Sequence, residues 1–422
     1  MKAKKTNQTQ PKKASESAKK KGANKDSIKP LKAASKKSAK KSKNSNQTQN
    51  NIKSHIKPPK LPKIPKSFQI SIATKRSENS AMPKIFLTTN ESAQYYESGY
   101  SCDNAILLKL DTHLVFITDA RYTTEAKEHL KESVEIVESH NLLDSAIAIL
   151  HKERIKEIVF DPRMLCVQDY QKLEVKLPKC RLVAMPNFHQ LGRIIKTNEE
   201  IGLIKKSQEL NKKAFKRFSK QVREGMYEHM LYALAKGALE NDGLYSLSFD
   251  PIVALNANAA KPHALPGQAR LKKGDLLLLD AGIKYKRYCS DRTRSGYFGE
   301  SGLDFTKNQH FANKKLQKIY DIVRKAQEHT IANIKSGMSG KQIDALARDV
   351  ITQAGFGEYF SHSTGHGIGL DIHEQPFIST RSETIITDGM VFSIEPGIYI
   401  PGKYGVRIED LVVIRNGRAE IL

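Results

Sequence analysis

Five residues of this chain have the types and spacing to do chemistry together: Asp280, Asp291, His366, Glu395 and Glu409. The apolar run 276–279 ends in Asp280, and a second extended stretch, 288–291, follows a short polar turn and ends in Asp291. A hairpin centred between Tyr285 and Lys286 sets these two aspartates opposite each other. Directly opposed residues hold their Cβ atoms about 4.5–5.5 Å apart, and like charges at that spacing destabilise a sheet unless something compensates. Bound cations are the natural compensation. The same arithmetic recurs where 391–395 and 406–409 flank the turn 401–405: the midpoint of Glu395 and Glu409 is Gly402, so a second hairpin opposes two more carboxylates. Two-residue alternation then puts Arg407 on the face of Glu409 and turns Val406, Ile408 and Asp410 the other way.

Between the hairpins lie His362, His366 and His373, separated by Gly365, Gly367 and Gly369. Glycines at this density rule out a helical metal motif and predict extended chain and turns. Their G-x-G-x-G spacing fits neither a dinucleotide fingerprint nor a phosphate loop. Four carboxylates and one imidazole make a hard, mostly oxygen ligand set, suited to Mn²⁺ and tolerable for Zn²⁺ or Co²⁺. Two such ions about 3.5–4 Å apart can activate water between them and polarise a carbonyl at once, which predicts hydrolysis. Taken singly, a strand-end aspartate is a turn former and a histidine in a glycine loop a hydrogen-bonding group. The recurrence of the pattern within one chain outweighs that plainer reading.

The elements that must position these residues fall into two blocks. Runs 105–110, 114–118 and 157–160 read as strands separated by helical stretches at 124–132 and 142–154, an α/β domain over 82–190. A second block, 191–422, opens with helical spacing at Ile201, Ile204, Leu210, Ala214 and Phe218, and continues with helices over 226–240, 308–335 and 340–353. Ser339 is placed to cap the last of these and Gly355 to stop it. Helices gathered round an antiparallel sheet give an α+β class.

At these residues the sequence resembles the creatinase-like metallopeptidases of pita-bread fold, nearest to Xaa-Pro aminopeptidases and Xaa-Pro dipeptidases. The resemblance runs from about Ile85 to the end and rests on Pro262-His-Ala264, Leu279-Asp-Ala-Gly282, Ser290-Asp291, the stretch 365–373, Ser393-Ile-Glu-Pro-Gly397 and Val406-Arg-Ile-Glu-Asp410. It implies a pita-bread catalytic domain behind a smaller creatinase-like N-terminal domain. It makes Asp280 a ligand of one metal, His366 and Glu395 ligands of the other, and Asp291 and Glu409 the bridges. Glu395 becomes the general base; His263, His362 and His373 orient substrate and steady the intermediate; Arg407 braces the site. The reaction implied is release of the residue ahead of proline, as an aminopeptidase, with the dipeptidase (prolidase) activity as the alternative and a homodimer as the assembly. A non-catalytic binding protein using a basic arm on nucleic acid is the reading from another class, and the intact ligand set counts against it.

Charge adds a third segment. Residues 1–81 hold 23 Lys and Arg against three acids, leaving 82–422 near +5 of the chain's net +25. A segment so polar and so poor in apolar residues predicts a disordered basic tail, either a dispensable extension ahead of Met82 or a polycationic arm for an anionic surface. The four cysteines show no paired spacing, and no apolar run is long enough for a secretory core or a membrane span, so a cytoplasmic protein is expected.

Overall fold

The structure, a computed structural model, describes residues 82–422; the basic segment expected over 1–81 lies outside them. The first sheet has six strands in the order Val134–Glu138, Leu114–Thr118, Ala105–Lys109, Phe86–Thr88, Glu157–Phe160, Arg181–Ala184. Its centre is antiparallel and its flanks parallel. The central strands Ala105–Lys109 and Leu114–Thr118 are almost wholly buried, as continuous apolar runs require when both faces are covered. Helices Glu91–Ser98 and Val167–Lys176, which carry little apolar periodicity, join those expected at Thr123–His129 and Leu142–Lys152.

The remainder is α+β with antiparallel sheets. A four-stranded sheet centres on Leu276–Ala281 and Arg292–Gly299, and a five-stranded one runs Glu374–Ile378, Gly365–Gly367, Val391–Ile394, Asp410–Arg415, Arg418–Ile421. Four helices surround them: Asn198–Gln221, Glu228–Glu240, Lys314–Asn333 and Gly340–Gln353. The first is closed by a capping box between Thr197 and Glu200, the last by one between Ser339 and Gln342. Among the described residues no helix is long and apolar enough to cross a membrane.

The register corrects one expectation. Tyr285 pairs with Tyr288 and Asp280 with Thr293, so the first hairpin is centred between Lys286 and Arg287, one residue later than its sequence suggests. Asp280 and Asp291 are therefore diagonal neighbours on one face, not directly opposed. The cause is the turn: Lys286 and Arg287 both have positive φ, 46° and 69°, the mark of a type I′ turn. Such turns are ordinarily announced by Asn-Gly or Asp-Gly, and Lys-Arg carries no such signal. The second hairpin keeps its expected midpoint. Ile398 pairs with Val406 and Ile394 with Asp410, both symmetric about Gly402, whose φ of 71° the turn requires.

Candidate metal centre

Asp280 and Asp291 sit where the ladder of the first hairpin breaks, and the carbonyls around the break take further donors from outside the hairpin. Helix Asn198–Gln221 supplies them from one polar, buried face. Ser207 Oγ donates to Ile283 O at 2.9 Å, Gln208 Nε2 to Asp291 O at 2.7 Å, and Asn211 Nδ2 to Ala281 O at 2.8 Å. Glu395 and Glu409 sit where the second hairpin passes from one sheet to the next. Their amides leave the hairpin to bond Thr364 O at 2.8 Å and Thr293 O at 3.1 Å. The imidazole comes from strand Gly365–Gly367, which lies so close to its neighbour that a Cβ on Gly365 would stand 1.8 Å from Ser393 O. A side chain there is impossible without moving the strand that carries His366.

One cavity of about 680 Å³ is lined by all nine side chains singled out from the sequence: Asp280, Asp291, His366, Glu395, Glu409, His263, His362, His373 and Arg407. Within it Asp291, His366 and Glu409 converge, with one ligand atom from each inside 4.8 Å of the others. His366 Nδ1 lies 3.1 Å from Gly367 O, and because a carbonyl only accepts, Nδ1 carries the proton. The Nε2 lone pair is left pointing inward, 3.6 Å from Asp291 Oδ2 and 3.5 Å from Glu395 Oε1. Asp280 stands aside from the triad, its Oδ2 2.6 Å from Arg407 Nη2.

Crowding four carboxylates into one buried space shows in their protonation. Burial, then the charges of Glu409, Asp280 and Glu395, hold the Asp291 carboxyl well above the carboxylate range. Burial, then Glu395 and Asp280, do the same to Glu409. Glu395 is pushed up to about 8 by burial against the opposing pull of Arg407. His366 is pushed down to about 3, first by burial and then by His373. Three carboxylate oxygens, Asp280 Oδ1, Asp291 Oδ1 and Glu409 Oε1, are buried with no hydrogen-bond partner among the described residues. Buried acceptors are paired almost everywhere in proteins, so three orphans beside an inward imidazole lone pair fit divalent cations.

The supporting side chains include several that periodicity and spacing did not reveal. Thr293 Oγ1 donates to Glu409 Oε2 at 2.8 Å and accepts from Arg407 Nε at 3.1 Å. Tyr399 Oη accepts from Arg407 Nη1 at 2.7 Å and donates to His362 Nε2 at 2.7 Å. With Nδ1 committed to Ser363 O at 2.8 Å, both nitrogens of His362 are already engaged by the protein. Burial and Arg407 push its pKa down to about 4, so it is neutral. Arg348 fixes this stretch by donating to His362 O at 2.9 Å, and Asp344 accepts from the Thr364 amide at 3.1 Å. His263 and His373 reach the cavity from exposed positions.

Comparison with known proteins agrees with this geometry. Residues 202–416 match the model of metallopeptidase family M24, and 81–195 that of the creatinase/prolidase N-terminal domain. An Xaa-Pro dipeptidase from Pyrococcus furiosus is 41% identical over 230 residues, 54% of this chain and 63% of the relative. Among solved structures, an Xaa-Pro dipeptidase from Bacillus anthracis superposes with a TM-score of 0.73 at 34% identity, over 80% of this chain and 92% of that one. An X-Pro aminopeptidase from Thermotoga maritima gives 0.72 at 31%, over 80% and 94%. A buried carboxylate cluster open to divalent cations, set in a pita-bread domain behind a creatinase-type one, thus has a known lineage: this chain belongs to metallopeptidase family M24 and is a hydrolytic enzyme.

Proposed function

We propose that the chain is a proline-directed peptidase that cleaves Xaa-Pro dipeptides, holding two divalent ions, Mn²⁺ foremost. The observation that carries the metal reading is the set of three orphaned, buried carboxylate oxygens on residues that line one cavity with His366. Asp280, through the oxygen Arg407 leaves free, and Asp291, His366, Glu395 and Glu409 would hold the ions. Bound divalent ions supply Lewis acidity, making water nucleophilic near neutral pH and polarising a carbonyl.

The chain's own groups do the rest. Glu395, beside His366, is placed to take the proton of the attacking water and hand it to the departing amine. Arg407 holds Asp280, and Tyr399 ties Arg407 to His362, so the cavity wall is fixed before substrate enters. Phe249, Pro251, Ile252, Leu265 and Phe377 make much of the remaining wall apolar, which suits a pyrrolidine ring and its missing amide hydrogen. The proline preference and the dipeptidase reading draw on the relatives' activities.

A second reading, the Xaa-Pro aminopeptidase, is favoured by one observation. Among the described residues lining the cavity, Arg407 is the one permanent cation, and Asp280, Tyr399 and Thr293 occupy it. The free carboxylate of a dipeptide meets no uncommitted cation there, whereas a longer peptide presents an amide instead. Xaa-Pro dipeptides assayed against Xaa-Pro-Xaa tripeptides, with metal stripped and then restored, decide between the two. Metal-dependent cleavage of dipeptides alone is expected; faster cleavage of tripeptides selects the aminopeptidase, and no metal-dependent cleavage of either refutes both.

A further inference from the structure

The loop 368–373, which joins strand Gly365–Gly367 to strand Glu374–Ile378, returns His373 to the face of His366, ring centroids 4.4 Å apart and nearly perpendicular. The same turn carries two carboxylates that point away from the cavity, Asp371 and Glu374. Neither contributes to the metal cluster. Glu374 is 1% exposed, and its Oε1 accepts from Lys196 Nζ at 2.6 Å while Oε2 accepts from Arg193 Nη2 at 3.1 Å. Asp371 accepts from the same Arg193 nitrogen at 2.5 Å, from Ser92 Oγ at 2.5 Å and from Gln190 Nε2 at 3.5 Å. The loop closes on itself through the Asp371 amide, which donates to Glu374 Oε2 at 3.3 Å.

Every side-chain donor to these two carboxylates comes from a position before the helix Asn198–Gln221, while the loop's backbone is held from the other side by the Cys289 amide, which donates to Gly369 O at 2.8 Å. Ser92 lies on helix Glu91–Ser98 of the first domain, and Gln190, Arg193 and Lys196 lie on the stretch leading out of it. Arg193 and Lys196 are 1% and 4% exposed. Two buried cations matched to two carboxylates are a poor source of net stability, since desolvation offsets most of the attraction. Their geometry, however, is restrictive: a guanidinium shared between two carboxylates fixes both ends of a short turn.

We propose that Arg193 and Lys196, with Ser92, are positioning residues that set His373 against His366, so that the first domain and the stretch leading out of it tune the reaction through this loop. They touch no reacting atom and act through Asp371 and Glu374. Because Asp371 is the more accessible carboxylate, Asp371→Asn is the informative variant, and Ser92→Ala a milder one that removes a single hydroxyl. Asp371→Asn is expected to lower kcat about tenfold with KM little changed, the size seen when partners of metal-site groups are lost. Ser92→Ala is expected to lower it a few-fold. In a His373→Ala background both changes should add less than about twofold, because the group they position is gone.

The kinetic measurement rests on the peptidase reading, so a readout independent of turnover accompanies it. In histidine-labelled protein, the imidazole resonance that disappears in His373→Ala should shift or broaden in Asp371→Asn and in Ser92→Ala, while that of the remote His140 stays. Full effects of Asp371→Asn in the His373→Ala background, or a His373 resonance unmoved by either variant, overturn the proposal. An inactive wild-type protein would count against the peptidase reading alone, and the resonance shifts would still decide this one.

Discussion

Stripping divalent metal should turn the cavity into a proton acceptor. Asp280 is paired with Arg407, but Asp291, Glu395 and Glu409 share the remaining buried space with the neutral imidazoles of His362 and His366, and Arg407 offsets their charge only in part. Glu395, with its pKa pushed up to about 8, is roughly nine-tenths protonated at pH 7. Asp291 and Glu409 are both held well above the carboxylate range by burial and by their neighbours' charges. Cations need these groups ionised, so loading metal at pH 7 should expel protons, about one per chain from Glu395 alone. Titrating Mn²⁺ calorimetrically into stripped protein, in buffers of different ionisation enthalpy, reads that number directly. Stability carries the same signature. Between the ordinary glutamate value of 4.5 and about 8 the folded, metal-free chain binds more protons than the unfolded one, so its stability falls as pH rises through that window. Each unit of that shift corresponds to about 1.4 kcal/mol, so Glu395 alone is expected to lower stability by an amount on the order of a few kcal/mol across the window. Thermal melts of stripped protein should therefore drop steeply from pH 5.5 to 8.5, and those of loaded protein much less. Release of less than about half a proton, or a stripped protein as stable at pH 8.5 as at 5.5, would refute the reasoning.

Three further outcomes are expected. Tyr399→Phe removes the hydroxyl between Arg407 and His362, and should cost about tenfold in kcat/KM while lowering stability by only about 1 kcal/mol, measured by steady-state kinetics and urea unfolding. Gly365→Ala drives a Cβ into Ser393 O, so strand Gly365–Gly367 must shift with His366; destabilisation of about 1–3 kcal/mol and weakened Mn²⁺ affinity should appear together in melts and metal competition. Deleting 1–81, which holds 23 of the chain's basic residues, should leave turnover unchanged and lower the salt needed for elution from heparin; an unchanged elution salt argues against an anion-binding role.

The sequence by itself determined which residues gather. Carboxylates embedded in apolar strands, and equidistant from a turn, have few ways to be satisfied, so Glu395 and Glu409 could be placed symmetrically about Gly402 from spacing alone. Glycine density likewise placed His366 on extended chain rather than helix. What the sequence could not give was anything resting on a turn without its usual residues or on contacts remote along the chain. The Lys286-Arg287 turn moved the first hairpin by one residue, because a positive φ at such residues is imposed by strand twist and packing rather than by their own preference. The polar face of helix Asn198–Gln221 looks like a solvated one until the fold shows that Ser207, Gln208 and Asn211 answer carbonyls 70 to 83 positions away. Arg193 and Glu374 lie 181 positions apart, and neither spacing nor composition relates them. Only the tertiary structure decides such pairs, since a buried polar group finds its partner wherever the packed chain brings one within hydrogen-bonding reach.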